Sequence, residues 1–299
     1  MPIDDVLAAV PELHDAQSVE PLTGGLTNTN YKVTSPSGCY VVRISGKDTS
    51  LLAIDRETEV HNTIAAAETG VGAPFVAAVP EHDALVLGFL DGEVMDAEKL
   101  RRGDRIAAIA SSCRSLHASR RFRHDFDMFE IQSRYLAIVR ERGFRLPDRY
   151  EGFEPQIREL ERAMRVHAEQ TVPCNNDLLA ENFIDVGGEM RLIDYEYSGN
   201  NEASFELGNV WSESNLSLDQ LEELVAAYWG EPLRSKVARA RLWGLMAKYG
   251  WTLWGSIQDG ISDLDFDFWS WAMEKYERAV EELDGPQFAQ LLSDVQRED

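Results

Sequence analysis

The spacing of apolar and polar positions changes character once along the chain. Over residues 1–90 it favours strands, with one helix. Tyr31-Lys32-Val33 and the β-branched run Cys39-Tyr40-Val41-Val42-Arg43-Ile44 flank a Ser35-Pro36-Ser37-Gly38 turn, which predicts strand, turn, strand. Asp55 to Thr69 carries helical spacing and is closed by Gly70. Ala84 to Leu90 is an apolar run of strand length, ended by Asp91-Gly92. From Asp96 onward the period becomes helical, with amphipathic stretches over residues 100–117, 133–142 and 155–169. A short strand-like interval follows: residues 182–186, the Gly187-Gly188 turn, then residues 190–194. This predicts a hairpin with Asn182 and Asp194 at its two ends. Helices resume from Phe205. The pattern predicts an α+β fold of two lobes: a small β-rich N-terminal lobe (residues 1–90) and a large, mainly helical C-terminal lobe (residues 91–299), joined near Gly88 to Glu93.

The interval between the helices carries the chemistry. In Asn175-Asn176-Asp177-Leu178-Leu179-Ala180-Glu181-Asn182 a carboxylate is followed five residues later by an amide, and Leu192-Ile193-Asp194-Tyr195-Glu196-Tyr197 adds further carboxylates after the hairpin. Phosphoryl transfer needs a group that orients the attacking hydroxyl, and oxygen ligands for the magnesium that bridges the phosphates. Asp177 suits the first role, and Asn182 and Asp194 the second. A hard, oxygen-preferring metal is implied, because no His or Cys cluster is legible here.

This segment resembles the catalytic and metal loops of the choline/ethanolamine kinase and aminoglycoside phosphotransferase superfamily, which has a two-lobed protein-kinase-like fold. That pattern is His-x-Asp-x-x-x-x-Asn followed by Ile-Asp-x-Glu; Asn175 stands at the His position, where Asn can still hydrogen-bond but not become a cation. Phe205-Glu206-Leu207-Gly208-Asn209-Val210-Trp211-Ser212-Glu213 resembles the next block, with Glu206 where Asp is usual. The resemblance implies an ATP-dependent, magnesium-dependent kinase with Asp177 catalytic and Asn182, Asp194 and Glu196 near the metal. It also implies that Gly24 to Asn30 is the phosphate-covering loop, with Thr27, Asn28 and Thr29 facing the phosphates, and that Arg43 takes the place of the usual strand lysine. The helix partner of Arg43 is Glu59, with Glu57 as the alternative, since periodicity does not choose between them. Leu87-Gly88-Phe89-Leu90 would be the hinge, where the Gly88 carbonyl and Leu90 amide meet an adenine ring.

Five of the seven tryptophans fall between Trp243 and Trp271. Trp251 and Trp254 lie three apart, on one helix face, in a stretch that resembles the family's Trp-x-x-Trp helix. A quaternary ammonium donates no conventional hydrogen bond and is held by aromatic faces and a nearby carboxylate. The expected acceptor cage is Tyr197, Trp251, Trp254 and Trp271, with Trp211 nearby and Glu213 supplying charge. Trp243 and Trp269 are expected in the core. The acceptor is a small cationic alcohol, choline first; the alternatives are ethanolamine, thiamine, an aminoglycoside, or a non-catalytic protein that binds a nucleotide or cation.

Composition narrows the rest. The net charge is −23, from 52 acidic and 29 basic residues. Such a surface repels phosphodiester backbones and anionic headgroups, so no nucleic-acid partner is expected. No apolar run is long enough to insert in a membrane. The N-terminus lacks a secretory pattern, and Cys39, Cys113 and Cys174 form no CxxC pair. A reduced, cytoplasmic setting fits, and a homodimer is compatible with it.

Overall fold

The computed structural model describes all residues except Met1, Gly24, Leu26, Lys47, Asp48, Asp104 and Asp299; Gly24 and Leu26 of the glycine-containing turn therefore lie outside the described residues. The N-terminal part runs α1 (Pro2–Ala9), β1 (Ser18–Leu22), β2 (Asn28–Ser35), β3 (Gly38–Ser45), α2 (Arg56–Glu68), β4 (Phe75–Val79) and β5 (Ala84–Gly88). Its strands form one antiparallel sheet in the order β1-β2-β3-β5-β4. In the β2–β3 hairpin Ser35 pairs with Gly38, and Asn30 lies opposite Arg43.

This part holds two α-helices where the spacing predicts one. Ile3 and Val6 of α1, with Val10 and Leu13 beyond it, bury themselves with Val33, Val42 and Val86 of the sheet. β1 is also unexpected; it forms the sheet edge, where a strand tolerates Pro21. Helix α2 starts at an Asp55 cap, whose side chain accepts from the Thr58 N–H at 2.7 Å. Its buried face is largely polar: Thr58, Glu59, Asn62 and Thr63. Asn62 donates to the Ser198 carbonyl (3.1 Å) and accepts from the Arg123 N–H (3.1 Å), so α2 ties distant segments by hydrogen bonds rather than by apolar packing.

The remainder continues β6 (Glu93–Val94), α3 (Ala97–Leu100), α4 (Arg105–His117), α5 (Met128–Arg142), α6 (Glu154–Met164), β7 (Val172–Cys174), β8 (Phe183–Val186), β9 (Glu189–Leu192), β10 (Gly199–Asn201), α7 (Ala203–Glu213), α8 (Leu218–Trp229), α9 (Arg234–Ile261), α10 (Phe268–Leu283) and α11 (Phe288–Asp294). Helix boundaries differ from the periodic stretches. Gly103, with φ +54°, separates α3 from α4. An Asp127 cap starts α5 earlier, and α6 stops at Met164. The hairpin is β8–β9, joined by Gly187 and Gly188 in the left-handed region, with β6 added to its β8 side.

Helix α9 is central, and α5, α7 and α10 all pack on it. It is buried almost all round from Ala238 to Gln258, because it has apolar or small residues on every face. Where α7 crosses it, two glycines meet. A Cβ on Gly208 would lie 2.0 Å from the Ala240 carbonyl oxygen, and one on Gly244 would lie 2.6 Å from the Gly208 oxygen. The contacts are backbone, so no side chain can swing away. Gly208→Ala is expected to lower unfolding free energy by about 3 kcal/mol in urea denaturation. An unchanged midpoint would show that the helices separate freely.

Candidate active site

The loop over residues 174–182 is shaped by buried polar side chains of α7. Glu206, fully buried, accepts the main-chain N–H groups of Asn175 (2.8 Å) and Asn176 (2.9 Å). Asn209 Oδ1 accepts from the Leu178 N–H at 2.7 Å. Asn175 then joins the two loops of the site. Its Nδ2 donates to the carbonyls of Ile193 (3.1 Å) and Asp194 (2.8 Å), and its Oδ1 accepts from the Asp177 N–H (3.1 Å). A neutral amide performs this bracing without a positive charge. Asn176 and Asp194 have φ of +67° and +64°, a region that Asn and Asp tolerate better than other side chains. Such strain persists where the surroundings over-determine it, as these bonds do. His117 Nε2 lies 3.8 Å from Glu206 Oε1 and 3.6 Å from Cys174 Sγ. Both Glu206 oxygens already accept main-chain N–H groups, so this His-Cys-Glu cluster reads as a brace behind the loop.

In front of the loop, Arg43 of β3 gathers three carboxylates. Nη1 lies 3.1 Å from Glu59, and Nη2 lies 2.9 Å from Asp194 and 2.8 Å from Glu196. Glu59 is thus the helix partner, while Glu57 pairs with Arg123 at 3.0 Å. Arg56, one turn before Glu59, adds a 2.6 Å bridge to it. Burial opposes the charge on Arg43, but Asp194, Glu59 and Glu196 outweigh it and push its pKa up. Thr27 Oγ1 and Asn28 Nδ2 both donate to Glu196, at 2.7 and 2.9 Å. Glu196 therefore anchors the start of β2 to residues 193–197; it also lines the cavity beside Asp177 and Asp194, and its Oε1 carries only the Thr27 bond.

Two carboxyls remain toward the cleft. Burial first, then Asp194, Glu213 and Glu196, pushes Asp177 well above the usual carboxylate range. Asp194 is pushed up to about 6 by burial and by Glu196 and Glu59, against the pull of Arg43. Asn182 Nδ2 donates to the Asp177 carbonyl at 2.7 Å, and its Oδ1 accepts no bond among the described residues. Crowded carboxylates beside a free amide oxygen form a donor set suited to a hard divalent cation, whose charge would relieve the crowding.

A cavity of about 460 Å³ runs from Asp177, Asn182 and Asp194 to an aromatic end made by Tyr197, Trp251, Trp254, Phe266 and Trp271, with Glu213 and Lys275. Trp254 Nε1 donates to the Tyr197 hydroxyl at 2.7 Å. Tyr197 meets Trp251 edge-on at 5.0 Å, and Trp254 lies 5.1 Å from Trp271. Lys275 was not legible as a member of this wall. The usable signal for Lys275 was its position one helical turn after Trp271. Trp243 is core, as its spacing suggests, with its Nε1 donating to Glu202 at 2.7 Å.

Other expected site residues lie elsewhere. Thr29 is exposed on β2, and Gly88 and Leu90 at the end of β5 do not line this cavity. Gly88 spends its N–H on the Pro74 carbonyl at 2.7 Å. Trp211 also does not line it: its ring packs on Gly244 at the α7–α9 crossing, and Lys248 Nζ sits 4.5 Å above it. Lys248 is pushed down to about 8, by burial first and then by Arg278. Its folded pKa lies below that of the unfolded chain, so the folded state binds fewer protons between about pH 8 and 10.5 and gains stability as pH rises there. Lys248→Met should therefore be more stable at pH 7, on the order of 2 kcal/mol, with the gain shrinking across that window. A pH-independent difference between the two proteins in urea would contradict this.

Comparison with known proteins identifies the family and the fold. The family model for choline/ethanolamine kinase matches residues 19–225. Human ethanolamine kinase 2 is 25% identical over 288 residues, covering 85% of this chain and 73% of that protein. The crystal structure of a choline/ethanolamine kinase family protein from Mesorhizobium loti superposes with a TM-score of 0.87 at 30% identity, covering 99% of both chains. Choline kinase LicA from Streptococcus pneumoniae shares the fold, with a TM-score of 0.80 at 24% identity over 94% of this chain and 98% of that one. With a two-lobed kinase-like fold and a family match across most of its length, the chain belongs to the choline/ethanolamine kinase family of ATP-dependent alcohol phosphotransferases.

Proposed function

We propose that this protein transfers the γ-phosphate of ATP to the hydroxyl of a small amino alcohol. The observation that carries the reading is one continuous cavity with Asp177, Asn182 and Asp194 at one end and Tyr197, Trp251, Trp254 and Trp271 at the other. A small acceptor held on the aromatic end would extend its hydroxyl toward Asp177. Residues 1–90 would serve as the nucleotide-binding lobe and residues 91–299 as the catalytic and acceptor-binding lobe.

In this reading Asp177 orients the acceptor hydroxyl and takes its proton as the oxygen attacks in line. Its raised pKa matches that task, since a carboxylate of ordinary acidity would accept the proton poorly. Asn182 and Asp194 would hold magnesium. Magnesium held there would supply positive charge to offset that of the phosphates. Arg43, fixed by Glu59, would face the phosphates with a planar fork, and Thr27 and Asn28 would lie at the phosphate side through their bonds to Glu196. The Gly88 carbonyl and Leu90 amide remain the proposed adenine contacts. Free Cys39, Cys113 and Cys174 support a cytoplasmic setting, and among the described residues no helix is long and apolar enough to cross a membrane.

The relatives' names include both choline and ethanolamine kinases; the Trp251–Trp254 spacing taken alone favours choline, while Lys275 on the same wall weighs against it. The test is ADP release with magnesium and a panel of choline, ethanolamine, thiamine and an aminoglycoside. Stimulation by a small amino alcohol is expected. Tight binding of ATP or alcohol with no stimulation by any member would instead make this a non-catalytic binding protein.

A further inference from the structure

The aromatic end of the cavity already contains a cation. Lys275 of α10 is buried, its Nζ lies 4.2 Å from the centroid of the Trp271 ring, and it is bonded to Glu213 Oε2. Trp271 and Lys275 are one turn apart on the same helix, so the ring and the ammonium are held together by α10 itself. Glu213 Oε1 is buried beside the cavity and has no hydrogen-bond partner.

We infer that Lys275 is a specificity-determining residue of the acceptor cavity: its ammonium holds the Trp271 face and one oxygen of Glu213, so the cavity disfavours a fully methylated ammonium and favours an amine that can donate a hydrogen bond. The inference rests on the amino-alcohol reading of this cavity. A quaternary ammonium is bound by aromatic faces and an uncompensated carboxylate. Here one face is covered, and Glu213, a carboxylate of the cavity wall, is paired with Lys275. Tyr197, Trp251 and Trp254 remain, and the first and last are already tied to each other. A methylated nitrogen would also leave Glu213 Oε1 without a donor, and an unsatisfied buried oxygen is costly. A protonated amine with N–H groups can supply that donor. Like charge on Lys275 disfavours every cation, but only those with N–H groups gain the compensating bond.

The test uses the whole protein with ATP, magnesium and a series graded only in methylation: ethanolamine, its N-methyl and N,N-dimethyl derivatives, and choline. For the parent protein kcat/KM should fall at least tenfold from the first to the last. In Lys275→Met the choline-to-ethanolamine ratio of kcat/KM should rise at least tenfold, because the Trp271 face and Glu213 are freed together. A parent protein that prefers choline overturns the inference, and so does a folded Lys275→Met protein with an unchanged ratio. If that variant does not fold, the parent's methylation series decides alone. Transfer with the reverse preference removes only the role of Lys275, whereas transfer to none of the four removes the amino-alcohol reading and this inference with it.

Discussion

Asp177→Asn should lower kcat by about 10²–10⁴-fold, the usual worth of a positioned general base, while leaving the melting temperature at or above that of the parent. Both halves come from one environment. Burial and the carboxylates of Asp194, Glu213 and Glu196 hold the Asp177 carboxyl well above its ordinary range. A carboxyl whose folded pKa is raised binds its proton more tightly in the folded state than in the unfolded one. Above the unfolded value, ionising it therefore costs the folded protein stability, and that cost grows as pH rises toward the folded value. Asparagine removes the charge and keeps the shape. The Asp177 N–H and carbonyl bonds to Asn175 and Asn182 use only the main chain, so they survive the change. Thermal unfolding alongside initial rates checks both halves. A variant that loses activity and stability together would make Asp177 a scaffold residue.

Arg43→Met should have the largest effect on stability. Arg43 bridges Glu59, Asp194 and Glu196, and both Arg43 and Glu59 are buried. Breaking a buried ion pair by removing one partner typically costs about 3–5 kcal/mol, because the other charge is left uncompensated. Arg56 reaches Glu59 and Glu196 but makes no bridge to Asp194, so it covers part of the loss only. Arg43→Lys should recover part of the stability, since an ammonium supplies charge without the fork that reaches three carboxylates at once. Urea midpoints for the three proteins decide this. A loss below about 1 kcal/mol in Arg43→Met, the range of an exposed pair, would mean that the cluster is solvated and does not hold the lobes in place.

The parts of this site that were legible in the sequence are those set by local spacing. Asp177, Asn182 and Asp194 stand on or beside one hairpin, so their order along the chain nearly dictates their proximity. Trp251 and Trp254 share a face of α9 for the same reason. The choice between Glu57 and Glu59 was not legible, because both lie in the first turn of α2 and only the position of β3 selects one. Trp211 shows the same limit. It lies within the motif block, but the glycine-mediated crossing of α7 and α9 turns it into the core. Lys275 was hidden because its meaning depends on Glu213, 62 residues away. Helix α1 was missed because its apolar face is short, and it gains stability only from the sheet it covers.

The most direct test of the central claim is identification of the product by phosphorus NMR. The protein would be incubated with ATP, magnesium and an amino alcohol, with Asp177→Asn as the paired control. The account predicts a new phosphomonoester resonance that grows in step with ADP for the parent and is absent for the variant. ATP consumed with only inorganic phosphate released, or an Asp177→Asn protein that forms the ester at the parental rate, would contradict it.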